Sequence, residues 1–276
     1  METVPNVLLN DGTSIPQLGF GVFKIDDDGA EVAVAHALEA GYRSIDTARI
    51  YDNEAGVGRA IRTSGIARDE IYVTTKVWND EQGHDETLRA FDASMSRLDL
   101  DVLDLYLIHW PVPALDRYVE TFRALLEIRD SGRLRSVGVS NFQPDHLDRL
   151  VAETGVAPVL NQVEVHPYLQ QPELRAANAA KGVATEAWSP LGRGNGVLED
   201  PVVLGLAARH GVTPAQVVIR WHLQLGTVVI PKSVTPSRIR ENFDVFGFEL
   251  NADDLAAIAT LDRAARVGPD PDTFGG

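Results

Sequence analysis

Short apolar runs alternate with longer segments in which apolar residues recur at every third or fourth position. Gly or Pro bounds most of the runs, which is typical of parallel strands that are buried on both faces. The longer segments have the spacing of amphipathic helices. The predicted strands are Leu18–Val22, Ser44–Asp46, Ile71–Lys76, Val102–His109, Ser136–Ser140, Val159–Glu164, Val183–Ser189 and Val228–Pro231. The predicted helices are Ala30–Ala40, Asn53–Thr63, Asp85–Leu98, Arg117–Ser131, Asp145–Thr154, Pro172–Lys181, Val202–His210, Pro214–Leu225 and Pro236–Phe243.

The pattern contains eight strands, and each of them is followed by a helix. Eight such units in about 250 residues are typical of a closed (β/α)8 barrel, the TIM barrel. A doubly wound sheet is the alternative, and it should carry Gly-x-Gly-x-x-Gly after its first strand. Gly19 and Gly21 lack the third glycine, and the glycine-rich run Gly192–Gly196 follows the seventh strand. We therefore predict an α/β fold of the TIM-barrel type and one domain, residues 1–276.

Two segments lie outside this repeat. Val7–Leu9 and Thr13–Ile15 flank Asn10-Asp11-Gly12, which predicts an N-terminal β-hairpin because Gly takes the positive φ of a tight turn. An extra helix over Asn251–Leu261 and a C-terminal tail follow the last unit. Three aspartates, Asp26–Asp28, precede the first helix, where a helix cap is a better interpretation than a metal site.

Composition excludes several classes of function. The chain has no Cys, so disulfides, thiol catalysis and Cys-ligated metal centres are excluded. The net charge of −15 argues against nucleic acid or an anionic membrane as a partner. Because Met1 to Asn10 has no signal-peptide pattern and no long apolar run follows, we expect a cytoplasmic protein. We also expect a monomer that binds a small molecule, and an anionic ligand would need a local cluster of Lys and Arg.

Polar side chains that packing does not require close most of the predicted strands. They are Asp46, Lys76, His109, Ser140 and Asn141, Gln162 and Glu164, and Ser189. In a barrel, the carboxyl ends of the strands converge on one mouth, where active sites lie. Tyr51 belongs to the same mouth, because it lies on the loop between Asp46 and the helix that begins at the cap-type residue Asn53.

Four of these residues predict a site that protonates an oxygen. Lys76 would be desolvated at its strand end and would need an anionic partner, which Asp46 on the adjacent strand can supply. A neighbouring ammonium lowers the pKa of a phenol from about 10, which would make Tyr51 a usable proton donor. Neutral His109 could hydrogen-bond a carbonyl oxygen and orient it. No side chain of the set is an evident nucleophile, so hydride transfer from a nicotinamide fits best.

A family resemblance extends over essentially the whole chain. The segments that carry it are Gly41–Ala48 with Tyr51, Asn53-Glu54 and Val57-Gly58, then Leu105–Pro111, Gly138–Phe142, Asn161–Pro167, and Ile230–Ser233 with Arg238, Glu241 and Asn242. On these segments the chain resembles the aldo-keto reductases, and most closely their bacterial 2,5-diketo-D-gluconate reductase branch. So many ordered matches are highly specific.

The resemblance implies NADPH-dependent reduction of aldehydes and ketones by hydride transfer, with 2,5-diketo-D-gluconate, reduced to 2-keto-L-gulonate, as a candidate substrate. It implies a catalytic tetrad of Asp46, Tyr51, Lys76 and His109, with Tyr51 as the general acid, and no metal. The cofactor-binding residues that it implies are Ser140, Asn141, Gln162, Trp188, Ser189, Leu191, Gly192, Lys232, Ser233, Arg238, Glu241 and Asn242.

Within the implied cofactor site, Ser140, Asn141 and Gln162 bind the nicotinamide carboxamide, and Trp188 stacks on the ring where many relatives carry Tyr. The loop Ser189–Gly192 lies beside the pyrophosphate. Lys232, Ser233 and Arg238 match the 2′-phosphate site, and cations beside helix-terminal N–H groups suit an anion on this acidic protein. This favours NADP(H) over NAD(H).

The implied substrate pocket lies above the tetrad. Phe23, Trp78 and Trp110 each follow a strand end and should form its walls, together with His109. The C-terminal tail is the variable substrate loop of the resembled family. Because the tail Arg266–Gly276 is short, we expect a fairly open pocket.

Three other functions remain open from the sequence. A class I aldolase-type barrel would form a Schiff base on Lys76, although Asp46 would keep that amine charged. Metal-dependent hydrolysis would draw on His109, His166, Asp46 and Glu164, although no His-x-His pair is present. A barrel that binds NADPH and reports the redox state to a partner is the non-catalytic alternative, as in some relatives of the resembled family.

Overall fold

Eight parallel strands curl into one sheet in the computed structural model of the chain, which describes residues 4–275. They are β3 (Phe20–Gly21), β4 (Ser44–Asp46), β5 (Tyr72–Val77), β6 (Leu103–Ile108), β7 (Leu134–Ser140), β8 (Leu160–Glu164), β9 (Ala184–Trp188) and β10 (Val228–Val229). A parallel bridge between Leu18 and Val229 joins the first strand to the last. The Gly19 N–H donates to the Val229 oxygen at 2.9 Å, and the Val229 N–H donates to the Gln17 oxygen at 2.9 Å. The sheet is therefore closed, and the predicted barrel is confirmed.

Helices surround the barrel. They are α1 (Asp27–Ala40), α2 (Glu54–Thr63), α3 (His84–Leu98), α4 (Tyr118–Asp130), α5 (Pro144–Thr154), α6 (Pro172–Ala180), α7 (Pro201–His210), α8 (Pro214–Gln224), α9 (Pro236–Phe243) and α10 (Ala252–Ala259). Each predicted helix is present, with ends that differ by at most three residues at either terminus. The first and last strands are shorter than predicted, because only two residues of each have strand geometry.

A hairpin of β1 (Asn6–Leu8) and β2 (Ser14–Pro16) precedes the barrel, as predicted. Its Ile15 side chain is fully buried and packs with Leu105, Leu107 and Leu160, which point into the barrel from β6 and β8. Burying a side chain of this size contributes about 1.5–3 kcal/mol. The hairpin therefore closes the amino-terminal end of the barrel with an apolar plug.

The barrel interior changes from apolar to polar along the strands. Leu105 and Leu107 fill the lower part from β6, and the next residue on that face is His109. On β8, Leu160 is followed on the same face by Gln162. Because side chains of a strand alternate between its two faces, this change puts polar groups at the carboxyl ends.

The first helix begins as predicted. The Asp26 side chain accepts a hydrogen bond from the Gly29 N–H at 2.8 Å, and this carboxylate caps α1. The interpretation of Asp26–Asp28 as a helix cap is therefore confirmed. Asp27 has a second role, because its carboxylate accepts from the Gly56 N–H at 2.7 Å and so joins α1 to α2.

Asn53 occupies the N-cap position of α2, as predicted, but its side chain makes no capping hydrogen bond. Its amide nitrogen donates to the backbone oxygens of Val22, at 3.0 Å, and Ile25, at 2.8 Å. Its amide oxygen accepts from the Thr47 hydroxyl at 2.6 Å. Three buried partners outweigh a cap, so Asn53 joins the loop after β4 to the segment that follows β3.

No single helix within residues 4–275 is long and apolar enough to cross a membrane. The pair α7 and α8, which is bent by 90°, meets the criteria of length and composition only.

Candidate active site

The carboxyl ends of the barrel strands open into a cavity of about 750 Å³. Cavities of this size hold organic ligands in many proteins. Most of the predicted site residues line it: Phe23, Asp46, Tyr51, Trp78, His109, Trp110, Ser140, Asn141, Gln162, Trp188, Ser189, Leu191 and Lys232. Lys76 lies directly behind this wall and is completely buried.

Asp46 and Lys76 form an ion pair inside the barrel. The Lys76 Nζ atom lies 2.6 Å from Asp46 Oδ1 and also donates to the Thr47 backbone oxygen at 2.8 Å. Burial acts to lower the pKa of Lys76, but the charges of Asp46 and Tyr51 outweigh it and raise the pKa. Burial raises the pKa of Asp46, against the opposing effects of Lys76 and Gln162. The site therefore has an ammonium ion at its floor.

Tyr51 lies on the one-turn 3-10 helix Arg49–Tyr51 that follows β4. Its ring centroid is 5.2 Å from Lys76 Nζ, and the ring packs against Phe23 (4.9 Å between centroids) and His109 (5.7 Å). Burial raises the pKa of Tyr51, and the charge of Lys76 reduces this increase without reversing it. The expected net lowering of this pKa is therefore wrong for the protein alone, because desolvation of the phenolate outweighs the ammonium.

His109 follows β6 and is a neutral imidazole. Burial and the nearby charge of Lys76 lower its pKa well below the usual value. Its Nδ1 atom is buried and has no hydrogen-bond partner within the described part of the chain. The ring packs edge-on against Trp78, with 5.0 Å between centroids. Because His109 lines the cavity, its neutral ring is suited to a hydrogen bond with a ligand.

Ser140, Asn141 and Gln162 line the cavity at the ends of β7 and β8 and are joined by hydrogen bonds. The Ser140 hydroxyl donates to the Gln162 backbone oxygen at 2.8 Å, and the Asn141 amide donates to the His109 backbone oxygen at 2.9 Å. Asn141 has a left-handed backbone, with φ of 64°. Its Oδ1 atom accepts from the Trp188 indole N–H at 2.8 Å, which fixes the indole plane.

The segment after β9 forms one rim of the cavity. Ser189 and Leu191 line the cavity, whereas Gly192 lies just outside it. Ser189 has φ of 50° and Gly192 has φ of 72°, so the chain turns sharply away from the strand. Arg193 reaches back over the cavity, and its guanidinium carbon lies 5.0 Å from the Trp188 ring centroid and 4.8 Å from that of Phe23.

The predicted phosphate-binding residues cluster beside β10 and at the start of α9. Lys232 lines the cavity, and burial together with the charge of Lys24 lowers its pKa. The Ser233 hydroxyl accepts from the Thr235 N–H at 3.1 Å. Arg238 is exposed in the first turn of α9. Arg238, Ser233 and the remaining predicted contacts, Glu241 and Asn242, lie beyond the cavity wall, on and beside α9.

The C-terminal tail lines part of the cavity, and the expectation of a fairly open pocket stays a prediction. Phe274 packs against Trp110, with 4.6 Å between ring centroids, and against Trp78, at 6.5 Å. Pro269 also lines the cavity. Short as it is, the tail supplies a wall. Gly276, the last residue of the predicted tail, lies outside the described residues.

Glu164 anchors this tail from the end of β8. Its carboxylate accepts from the Val267 N–H at 2.6 Å, from the Gly268 N–H at 2.9 Å and from His166 Nε2 at 3.0 Å. Burial alone would raise the pKa of Glu164, but these hydrogen bonds outweigh it and lower the pKa. A Cβ atom on Gly268 would lie 2.4 Å from the Trp188 ring. The tail backbone is therefore in tight contact with the indole.

Two of the alternative chemistries find little support in this geometry. Lys76 is a paired ammonium, whereas Schiff-base formation needs the neutral amine. His166 is bound to Glu164 and to the backbone of Tyr168, so it is not free to join His109. Within residues 4–275, no group of three or more acidic or His side chains is arranged to hold a metal ion.

Sequence reasoning missed three residues of the site. Glu186 is buried on β9, two residues before Trp188, and an acidic residue inside a buried strand was a usable signal. Arg193 belongs to a glycine-rich run whose path depends on several left-handed residues, which a sequence pattern does not specify. Phe274 reaches the cavity only because Glu164 anchors the tail, and no local pattern indicates that contact.

The chain is similar to known proteins over nearly its whole length. The sequence model described as the Aldo/keto reductase family matches residues 17–200 and 200–263. An aldo-keto reductase of Mycolicibacterium smegmatis is 58% identical over 270 residues, which is 98% of each chain. Methylglyoxal reductase DkgA of Escherichia coli is 53% identical over 274 residues, which is 99% of each. A mutant of Gox0644, solved in complex with NADPH, superposes with a TM-score of 0.94 at 52% identity and covers 99% of each chain.

Proposed function

We propose that this chain, which belongs to the aldo/keto reductase family, reduces aldehydes and ketones to alcohols with NADPH, and that Tyr51 is the general acid. The observation that carries the proposal is the buried Asp46–Lys76 ion pair beneath Tyr51 and beside neutral His109, at the floor of a 750 Å³ cavity. This arrangement can protonate a carbonyl oxygen, and it contains no evident nucleophile. The reductant must therefore come from a cofactor.

Each member of the proposed tetrad has a separate task. Tyr51 donates the proton to the developing alkoxide, because Lys76 stabilises the phenolate that remains. Asp46 holds Lys76 in place and keeps it charged. His109 donates a hydrogen bond from its neutral ring to the carbonyl oxygen and orients that oxygen toward Tyr51. Since His109 is neutral, it adds no charge that would compete with Lys76.

NADPH, when bound, would supply the hydride. We propose that Ser140, Asn141 and Gln162 hold its carboxamide and that Trp188 stacks on its ring, since the indole is fixed by Asn141 at the cavity wall. Further proposed contacts to the cofactor are Ser189, Leu191, Gly192, Lys232, Ser233, Arg238, Glu241 and Asn242. Two neighbouring cations that line the cavity, Lys24 and Lys232, fit a site that receives an anionic ligand.

The substrate would lie between aromatic walls. Phe23, Trp78 and Trp110, joined by Phe274 of the tail, suit a small carbonyl compound. Lys24 and Arg193 add positive charge at the rim, which favours a substrate with a carboxylate. 2,5-Diketo-D-gluconate has this chemistry, and methylglyoxal, named in the relative from Escherichia coli, is a smaller uncharged candidate.

The experiment that tests this function follows the loss of 340 nm absorbance with NADPH, and separately with NADH, over a panel from methylglyoxal to 2,5-diketo-D-gluconate. The proposal predicts consumption of NADPH, with NADH much less effective. A keto acid that is reduced faster than simple aldehydes would support the role of the rim cations. Tight binding of NADPH without reduction of any compound in the panel would contradict the proposal and favour a redox sensor.

A further inference from the structure

Glu186 is a buried acid that the proposed reaction does not use. It lies on β9, pairs in register with Gln162 of β8 and Val228 of β10, and is 1% exposed. It points into the barrel, because Trp188, two residues later on the same face, lines the cavity. A carboxyl group at such a position costs free energy unless its charge or its hydrogen bonds are satisfied.

One amide nitrogen joins this acid to the proposed tetrad. Gln162 Nε2 donates to Glu186 Oε2 at 2.8 Å and to Asp46 Oδ2 at 2.8 Å. An amide nitrogen has two N–H groups, so these two carboxyl groups use both of them. The carbonyl oxygen of Gln162 is then the only polar atom of the amide that remains for a ligand in the cavity.

We propose that Glu186 is a positioning residue that remains protonated in the working enzyme and, with Asp46, orients Gln162 so that its amide oxygen faces the cofactor. The inference rests on the proposed function for the cofactor contact of Gln162. It also fixes the direction of the hydrogen bond between Gln162 and the cofactor. Gln162 accepts a hydrogen bond from the carboxamide NH2 group and does not donate one.

The charge balance of the barrel interior supports the protonated state. Asp46 and Glu186 are two buried carboxyl groups, whereas Lys76 is the cation that faces them, and it is bound to Asp46. Burial and the charge of Asp46 raise the pKa of Glu186 to about 8, against the opposing effects of Gln162 and Lys76. Tyr72 of β5 also faces Glu186, and burial together with nearby carboxylates raises the pKa of its phenol well above the usual value.

A protonated Glu186 makes stability depend on pH in a defined direction. Its pKa is raised from 4.5 to about 8 in the folded protein, so the folded state binds this proton more tightly than the unfolded state. The resulting stability is complete below the unfolded pKa and is lost as the pH rises through the folded pKa. Wild-type protein should therefore lose stability between about pH 5 and about pH 8 relative to a variant that cannot titrate there.

The experiment compares Glu186→Gln with Glu186→Leu. Glu186→Gln keeps an oxygen that accepts from Gln162 but cannot ionise, whereas Glu186→Leu removes the acceptor. We expect NADPH affinity, measured by fluorescence titration, to fall about tenfold in Glu186→Leu, the effect of one lost hydrogen bond, and to stay within about threefold in Glu186→Gln. Leu and Gln both fill most of the volume of the Glu186 side chain, so a role in packing alone would leave NADPH affinity similar in the two variants. Unchanged affinity in Glu186→Leu, or equal loss in both variants, would overturn the positioning role.

Melting temperatures measured from pH 5 to pH 9 test whether Glu186 is protonated in the folded protein, and they need no measurement of activity. We expect Glu186→Gln to be more stable than wild type at pH 9, with the difference shrinking toward pH 5. Parallel curves would show that Glu186 does not hold the proton. This arm needs only folded Glu186→Gln, so it stands even if Glu186→Leu fails to fold. Failure of the proposed function would appear differently, as wild-type protein that does not oxidise NADPH.

Discussion

Two buried carboxylates at opposite ends of the barrel have different partners. Asp46 lies at the carboxyl end of β4 and pairs with Lys76, which is completely buried. Asp104 lies near the amino end of β6 and accepts from Arg68 at 2.6 Å and from the Val73 N–H at 2.9 Å, with Arg135 at 3.0 Å. Both carboxylates are almost inaccessible to solvent, with 3% and 1% exposure.

The difference lies in the cations. The side chains of Arg68 and Arg135 are 32% and 48% exposed, so water shields their charge. Lys76 is removed from water, and its charge acts on Tyr51 and His109 through a medium of lower dielectric constant. A second cavity, of about 670 Å³, opens beside Asp104, so both ends of the barrel have a cavity beside a buried acid. What distinguishes the mouth is a desolvated cation beside a phenol.

Removing the desolvated cation should have the largest effect. Lys76→Met leaves Asp46 buried without its ion pair and Tyr51 without the charge that stabilises the phenolate. We expect turnover of carbonyl substrate to fall about 1,000-fold, in the middle of the range of about 10²–10⁴-fold for loss of acid catalysis. Steady-state kinetics at saturating NADPH measure it. Turnover within tenfold of wild type would show that Lys76 does not assist Tyr51.

The matching change at the other end should affect stability alone. Asp104→Asn weakens the hydrogen bonds to Arg68 and to the Val73 N–H, and we expect a loss of about 1.5–3 kcal/mol in the free energy of unfolding, the contribution of a hydrogen bond to a charged group. Urea unfolding measures this loss, with exposed Asp101→Asn as the control. Turnover should stay within about twofold of wild type. A large loss of turnover in folded Asp104→Asn would contradict the view that only the carboxyl end of the barrel takes part in the reaction.

Arg238→Ala tests whether the mouth continues to a phosphate site at α9. A charged hydrogen bond contributes about 1.5–3 kcal/mol, so NADPH affinity should fall about 10- to 100-fold while NADH affinity changes little. Arg240→Ala, an exposed change on the same helix, is the matched control. Equal weakening of both cofactors by Arg238→Ala would mean that Arg238 acts through folding of α9.

The smallest effect is expected from Gly268→Ala in the tail. Its new Cβ would lie 2.4 Å from the Trp188 ring, so the tail must move away from the indole and carry Phe274 with it. We expect KM for the carbonyl substrate to rise about threefold with kcat nearly unchanged, a loss of uniform substrate binding. Gly247→Ala, where a Cβ would meet nothing within 4 Å, is the control. Identical kinetics of Gly268→Ala and Gly247→Ala would show that the tail does not contribute to substrate binding.

The sequence predicts the barrel and its mouth because both depend on local patterns. Apolar runs bounded by Gly or Pro locate the strands, and the residue at each strand end then meets the others by barrel geometry. The barrel geometry therefore predicts that Asp46, Lys76 and His109 lie close together. The sequence also predicts where the inward face of β6 changes from apolar to polar, between Leu107 and His109.

Other features depend on contacts between distant residues. The tail reaches the cavity because Glu164 accepts hydrogen bonds from Val267 and Gly268, more than 100 residues away. The net direction of the Tyr51 pKa is a balance between burial and Lys76, and the sequence predicts the presence of the charge but not the extent of burial. Glu186 is linked to Asp46 through Gln162, which lies 116 residues after Asp46 in the chain.

Tyr51→Phe tests the central claim most directly, because it removes only the phenolic oxygen and leaves the ring that packs on Phe23 and His109. The measurement is kcat/KM for carbonyl reduction together with the dissociation constant of NADPH for the same preparation. We predict a fall in kcat/KM of at least about 1,000-fold with NADPH affinity within about threefold of wild type. Reduction within tenfold of wild type would contradict the assignment of Tyr51 as the proton donor.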